Sequence, residues 1–213
     1  MLSCLIANAQ DSLKKIPSYF HTEDLIIVSL TSDNWSGLPA GIKSKPLRSR
    51  RFSFLFMTEK MNKSGNFGIA GGLGFMSQNV HTNAYIGDTG SASYLSPIPD
   101  SVDLDVNKLS SNFITAAVEF RLRSNENNNG NRYKFSAGFL AAFLVQSHIK
   151  YEDMNGKIKT FDIPHLNTFQ YGIQARLGYN KFAINGYYSL VPVFQDDEGP
   201  EMTPYSIGIS LTL

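Results

Sequence analysis

The chain has 213 residues, of which 42% are hydrophobic, 12% aromatic and 17% charged, with a formal net charge of +1. That length suits one sizeable domain, and near-neutrality argues against a nucleic-acid binder steered by bulk positive charge. No apolar run reaches the roughly 18 residues of a spanning helix, so a membrane-spanning form must be a closed barrel.

In chain order, Met1-Leu-Ser-Cys-Leu-Ile-Ala-Asn-Ala9 reads as the remnant of a secretory signal peptide. Its apolar stretch leads to an A-x-A cleavage site at Ala7-Asn-Ala9. Cys4 is the single cysteine, so a cleaved chain holds none. Residues 10–23 are expected to form a periplasmic tail, and residues 24–213 the folded domain.

Period-2 alternation dominates after residue 24 and predicts eight strands: 24–32, 50–60, 66–82, 111–123, 132–151, 166–178, 181–194 and 203–213. In the last, Tyr205, Ile207, Ile209, Leu211 and Leu213 share one face, and Ser206, Gly208, Ser210 and Thr212 the other. Phe169, Tyr171, Ile173 and Leu177 oppose Gln170, Gly172, Gln174 and Arg176 in the same way. So do Ile114, Val118, Phe120 and Leu122 against Thr115, Glu119, Arg121 and Arg123. Leu55, Met57, Leu140 and Leu144 blur the polar face of their strands. Short turn-rich links at 61–65, 124–131 and 178–181 alternate with long ones at 33–49, 83–110, 152–165 and 195–202. This is the organisation of an antiparallel up-and-down barrel with short periplasmic turns and long extracellular loops.

The bulky apolar face has no Asp, Glu, Lys or Arg at the central positions of the last five strands. A Lys or Arg facing lipid at midplane costs roughly 2–4 kcal/mol. The opposite face is rich in Gly, Ala and Ser, which suits a crowded eight-stranded lumen. Tyr133, Tyr151, Tyr179, Tyr188 and Tyr205 lie near strand ends, where interfacial girdles form. The expected fold is an all-β, eight-stranded transmembrane barrel of the bacterial outer membrane. A soluble lipocalin-like carrier is the alternative for the same strand count.

Asp33-Asn-Trp35, Gly71-Gly-Leu-Gly-Phe75 running into Ser77-Gln-Asn-Val-His81, and Val118-Glu-Phe-Arg-Leu-Arg123 resemble the PorT-like outer-membrane β-barrel family of Bacteroidetes. The C-terminal Gly199–Leu213 is similar to it as well. The resemblance spans about residues 24–213 and implies fold and compartment. The chain departs from the commoner pattern in ending on Leu213 rather than an aromatic residue. One family member is associated with type 9 secretion and gliding, a role that a shared fold does not transfer.

The most specific polar constellation is Glu119, Arg121, Arg123, Gln174 and Arg176, all placed in the lumen by strand parity. Carboxylates there should pair with the arginines, because an unpaired buried charge is costly. The cluster reads as a polar plug rather than an ion path, since eight strands leave no room for a pore. Asp196-Asp-Glu198 in the last long loop is a candidate rim contact for a divalent cation or a partner. The basic run Lys43–Arg51 lies at a membrane boundary, where it is either a contact for anionic lipid headgroups or lipopolysaccharide phosphates or a plain solvated loop.

His21, His81, His148 and His165 show no metal-ligand spacing, and Gly71–Gly74 lacks the Lys-Ser/Thr of a phosphate loop. Ser77, His81 and the Ser147-His148 pair would approach one another near the outer rim if the third and fifth strands face the right way, but the adjacent Ser147 and His148 point to opposite faces and cannot form one dyad. No catalytic, cofactor or metal site is therefore expected. The expected role is structural or accessory, with outer-membrane lipids, lipopolysaccharide and other envelope proteins as partners and no nucleic acid. A lipid-modifying enzyme with a site at the outer rim is the other reading.

Overall fold

The computed structural model describes residues 25–213 apart from Asp100, Asp103 and Asn155. The signal-peptide remnant and the periplasmic tail, with Cys4 and His21, lie outside the described residues. The strands are β1 (Ile26–Ser36), β2 (Arg50–Met61), β3 (Phe67–His81), β4 (Ala84–Asp88), β5 (Ser93–Pro97), β6 (Leu104–Arg123), β7 (Tyr133–Asp153), β8 (Gly156–Phe161), β9 (Phe169–Tyr179), β10 (Phe182–Ser189) and β11 (Thr203–Thr212).

Eight of these close into an antiparallel ring in the order β1-β2-β3-β6-β7-β9-β10-β11, with β11 returning to β1. The paired positions Met61, Gly68, Arg121, Ser136, Arg176, Asn185, Gly208 and Thr31 lead once around the ring and return to β2 at Arg51. The circuit therefore climbs ten residues along β2, from position 61 to position 51. With ordinary strand rise and spacing, that stagger tilts the strands by about 40°.

The eight strands predicted from alternation are the eight staves of the barrel. Three short strands were not predicted: β4 and β5 form a hairpin inside the 83–110 link, and β8 extends β7 inside the 152–165 link. Each has only five or six residues, too few for a period to show. β1 continues to Ser36, past the predicted end at 32, because Ser29, Thr31, Asp33 and Trp35 keep facing inward. About ten residues of tilted strand cross a bilayer, so β6 and β7, with 20 and 21 residues, carry on beyond it.

Parity sorts the side chains as the alternation implied. Ile209 is 62% exposed, whereas Ser210, next to it on the inner face, is 2% exposed, and Leu73 is 66% exposed against Met76 at 1%. An apolar face turned outward, around a lumen holding Arg and Glu, is the inverse of a soluble carrier, so the lipocalin-like alternative fails. Lipid is the solvent that such a surface requires.

A register shift in the β6–β7 pairing between Asn112 and Phe113 leaves Val145 as an extra residue on β7. Bulges of this kind reset the side-chain period. Leu140 and Ala142 face inward below it, Ser147 above it. Tyr151 therefore does not join the outward-facing tyrosines of the girdles. Tyr133 and Tyr179 do, with ring centroids 5.0 Å apart at the inner rim.

Candidate functional site

The lumen is filled in tiers. At the periplasmic end, β6 supplies Glu119, Arg121 and Arg123, β9 supplies Gln174 and Arg176, and β2 supplies Glu59. Glu119 Oε2 accepts from Arg176 at 2.6 Å and from Arg121 at 3.3 Å, and its Oε1 accepts from Gln174 at 2.8 Å. Glu59 accepts from Arg121 at 2.6 Å and from Arg123 at 2.7 and 2.8 Å. All six side chains are buried. Two carboxylates thus knit three guanidinium groups together, and each carboxylate oxygen has a charged or amide donor, the condition under which buried ions are tolerated.

The sequence constellation omitted Glu59, which lies on the strand whose polar face was blurred by Leu55 and Met57. The pairing of Glu59 with Ala70 and of Ala70 with Glu119 brings it to the cluster. The signal was its parity with Ser53 on β2.

Above the charges, Leu55, Met57, Met76, Phe113, Ala117 and Leu140 form an apolar tier. The residues that looked out of place on a polar face pack against one another across the lumen. The filling is therefore mixed, not wholly polar as expected. Higher still, Arg51 Nε lies 2.9 Å from Asp33 Oδ1, and the Arg51 guanidinium sits 4.4 Å from the centre of the Tyr187 ring. Arg51, assigned by sequence to the basic rim run, points instead into the lumen. The outer mouth is closed by Trp35, Val80, Leu109, Ile163, Leu166, Val193, Phe194 and Met202, several of them from loops folded inward.

Cavities along the barrel measure about 30, 20 and 10 Å³, with different linings. A water needs at least 10–15 Å³, so each has room for two at most, and none is a conduit.

Over the mouth, three extracellular segments meet at His165. Its Nδ1 lies 2.9 Å from Glu198 and its Nε2 3.2 Å from Asp88 at the end of β4. Both ring nitrogens face carboxylates, so the imidazolium form satisfies both contacts. The hydrogen bond to Glu198, with that to Asp88, raises the His165 pKa above its ordinary 6.5. Because the folded value is raised, the clamp is complete below 6.5 and is lost as pH climbs through the raised value. Limited proteolysis of the 195–202 loop is therefore expected to be slow at about pH 5.5 and faster at about pH 8.5. His165→Ala should cleave at the fast rate at both. Equal wild-type rates at the two pH values would remove the clamp from this account.

Of the predicted rim contacts, Glu198 is thus committed to His165, while Asp196 and Asp197 remain exposed on the loop. Among the described residues, no three His, Cys, Asp or Glu side chains converge as metal ligands. Ser147 faces inward, where its hydroxyl accepts from the Ile163 amide at 3.0 Å, while His148 faces outward beside Phe161. Beside the mouth, the β4–β5 hairpin and the β7–β8 extension enclose a cup of about 590 Å³ walled by Tyr85, Ile98, Ile149, Tyr151 and Ile158.

A closed eight-stranded ring with charge inside, an apolar belt outside and long loops at one end defines a β-barrel of the bacterial outer membrane. The chain belongs to the outer membrane protein beta-barrel domain family, whose model matches residues 36–195. A solved structure similar to it is Ail, the attachment invasion locus protein of Yersinia pestis. The identity is 14% and the TM-score 0.39, over 88% of this chain and 96% of that one. No curated protein matches the chain.

Proposed function

We propose that this outer-membrane barrel has a structural or accessory role, as a subunit or partner of an envelope assembly of the secretion or barrel-insertion type. The observation that carries this reading is the double closure of the lumen. Paired charges fill its periplasmic end and an apolar cluster fills its outer mouth. A barrel with no path through it acts by its surfaces. The elongated β6–β7 pair and the β4–β5 hairpin supply such a surface outside the membrane. Outer-membrane lipids and other envelope proteins are the partners this reading implies.

Gentle extraction and affinity capture of the barrel at native abundance should bring down envelope proteins. Replacing residues 84–97 with a short Gly-Ser link should release them while the barrel stays heat-modifiable on gels. A barrel that elutes by itself under these conditions overturns the proposal. In this reading the protein is not an enzyme, and lipopolysaccharide incubated with it keeps its acyl pattern. An acyl chain lost to the wild type and kept with His81→Ala or His148→Ala would establish the enzymatic alternative.

A further inference from the structure

The outward surface of β2, β3, β6 and β7 changes character in discrete rows. One paired row is Phe54–Phe75–Ile114–Phe143, wholly apolar and facing lipid. The next is Phe52–Ser77–Asn112–Gln146, and the one beyond is Arg50–Asn79–Ser110–His148. The outermost is His81–Lys108–Lys150–Lys159, which runs from β3 through β6 and β7 to β8. Two intervening rows thus lie between the wholly apolar row and a row of three lysines that ends on His81.

Directly opposed cross-strand residues stand about 4.5–5.5 Å apart at Cβ, and like charges there repel. Three lysines opposed in one row call for a counter-ion. Among the described residues, Glu152 pairs with Lys150. Asn79 directs the lysine head of the middle strand, accepting from Lys108 Nζ at 2.7 Å and from Ser110 Oγ at 2.8 Å. Lys108 is thereby held on the barrel wall instead of reaching away into water. Arg48, beside this row, is anchored to the Asp105 carbonyl at 3.3 Å.

We propose that this face binds the phosphorylated sugar headgroup of an outer-leaflet glycolipid, lipopolysaccharide, through Arg50, His81, Lys108, Lys150 and Lys159. The order of the rows matches one amphiphile: phosphates at the cation row, sugar hydroxyls at Ser77, Asn79 and Asn112, and acyl chains on the phenylalanine row. The site rests on the outer-membrane location and not on the accessory role, so partner capture and lipid binding fail independently.

The test is titration of the full-length barrel in micelles with diphosphorylated lipid A, with the same lipid stripped of phosphate, and with inorganic phosphate. Bound lipid is counted by native mass spectrometry. The dephosphorylated lipid should bind at least about tenfold more weakly, since each lysine near an anionic surface contributes about 1 kcal/mol. The triple variant K108Q/K150Q/K159Q should lose about 100-fold by the same arithmetic while migrating as a folded barrel. Wild-type affinity should also fall with added salt. Equal binding of the two lipids, displacement by inorganic phosphate, or wild-type affinity in the triple variant overturns the site.

Discussion

Glu119→Ala should cost about 3–5 kcal/mol of barrel stability, the range found when one partner of a buried ion pair is removed. The carboxylate accepts from Arg121, Arg176 and Gln174, and its removal leaves Arg176 buried without it. Glu59 still serves Arg121 and Arg123, so the damage concentrates on the β6–β9 side. Urea unfolding of the refolded barrel in lipid vesicles reads this directly. The single tryptophan, Trp35, is buried at the outer mouth and reports fluorescence from the far end of the lumen. Glu126→Ala, at a pair with Arg132 on the 124–131 turn, should change stability by less than about 1 kcal/mol. The double variant E119M/R176M should recover part of the loss, because it removes the stranded charge together with its partner. A Glu119→Ala barrel as stable as Glu126→Ala would mean that the lumen charges are solvated and that the plug is not structural.

Gly138→Ala is expected to be nearly as damaging, by about 2–3 kcal/mol, at the upper end of overpacking costs. Gly138 stands opposite Glu119 across the β6–β7 pair. A Cβ there would lie 2.0 Å from the Val118 carbonyl oxygen and 2.7 Å from Glu119 Cα. Both are backbone atoms of the neighbouring strand, which cannot rotate aside as a side chain would. Glycine at such points lets a tightly curved sheet close. Gly186 supplies the control: it lies on the outward face and an added Cβ meets nothing within 4 Å, so Gly186→Ala should stay within about 0.5 kcal/mol. Refolding yield and the urea midpoint of the two variants should separate clearly. Equal behaviour would show that the β6–β7 contact yields more easily than its geometry implies.

Much of this arrangement was legible from residues alone, and the reason is local. In a strand, side chains alternate by a period of two whatever the strand pairs with. Ile207, Ile209 and Leu211 against Ser206, Gly208 and Ser210 therefore declared two faces before any partner was known. The placement of Glu119, Arg121 and Arg176 on a common side followed from the same parity. Parity carries only as far as the strand is regular. The extra residue at Val145 moved Tyr151 off the girdle and onto the wall of the cup. The short strands β4, β5 and β8 lie below the length at which a period is visible.

Alternation within each strand, with charge withheld from the bulky side, was enough to dictate a closed barrel, its lipid-facing surface and the polarity of its lumen. Who meets whom inside depended on register, which is set between strands far apart in sequence. The climb of ten residues around the ring decides that Glu59 stands beside Arg121 and Arg123, and that Arg51 reaches Asp33 and Tyr187 instead of the rim. It also decides that His81, Lys108, Lys150 and Lys159, spread over nearly eighty positions, line up in one row. A one-residue slip would exchange the two faces of a strand. Register is held by packing across the lumen and by the turns, and neither can be seen from one strand at a time.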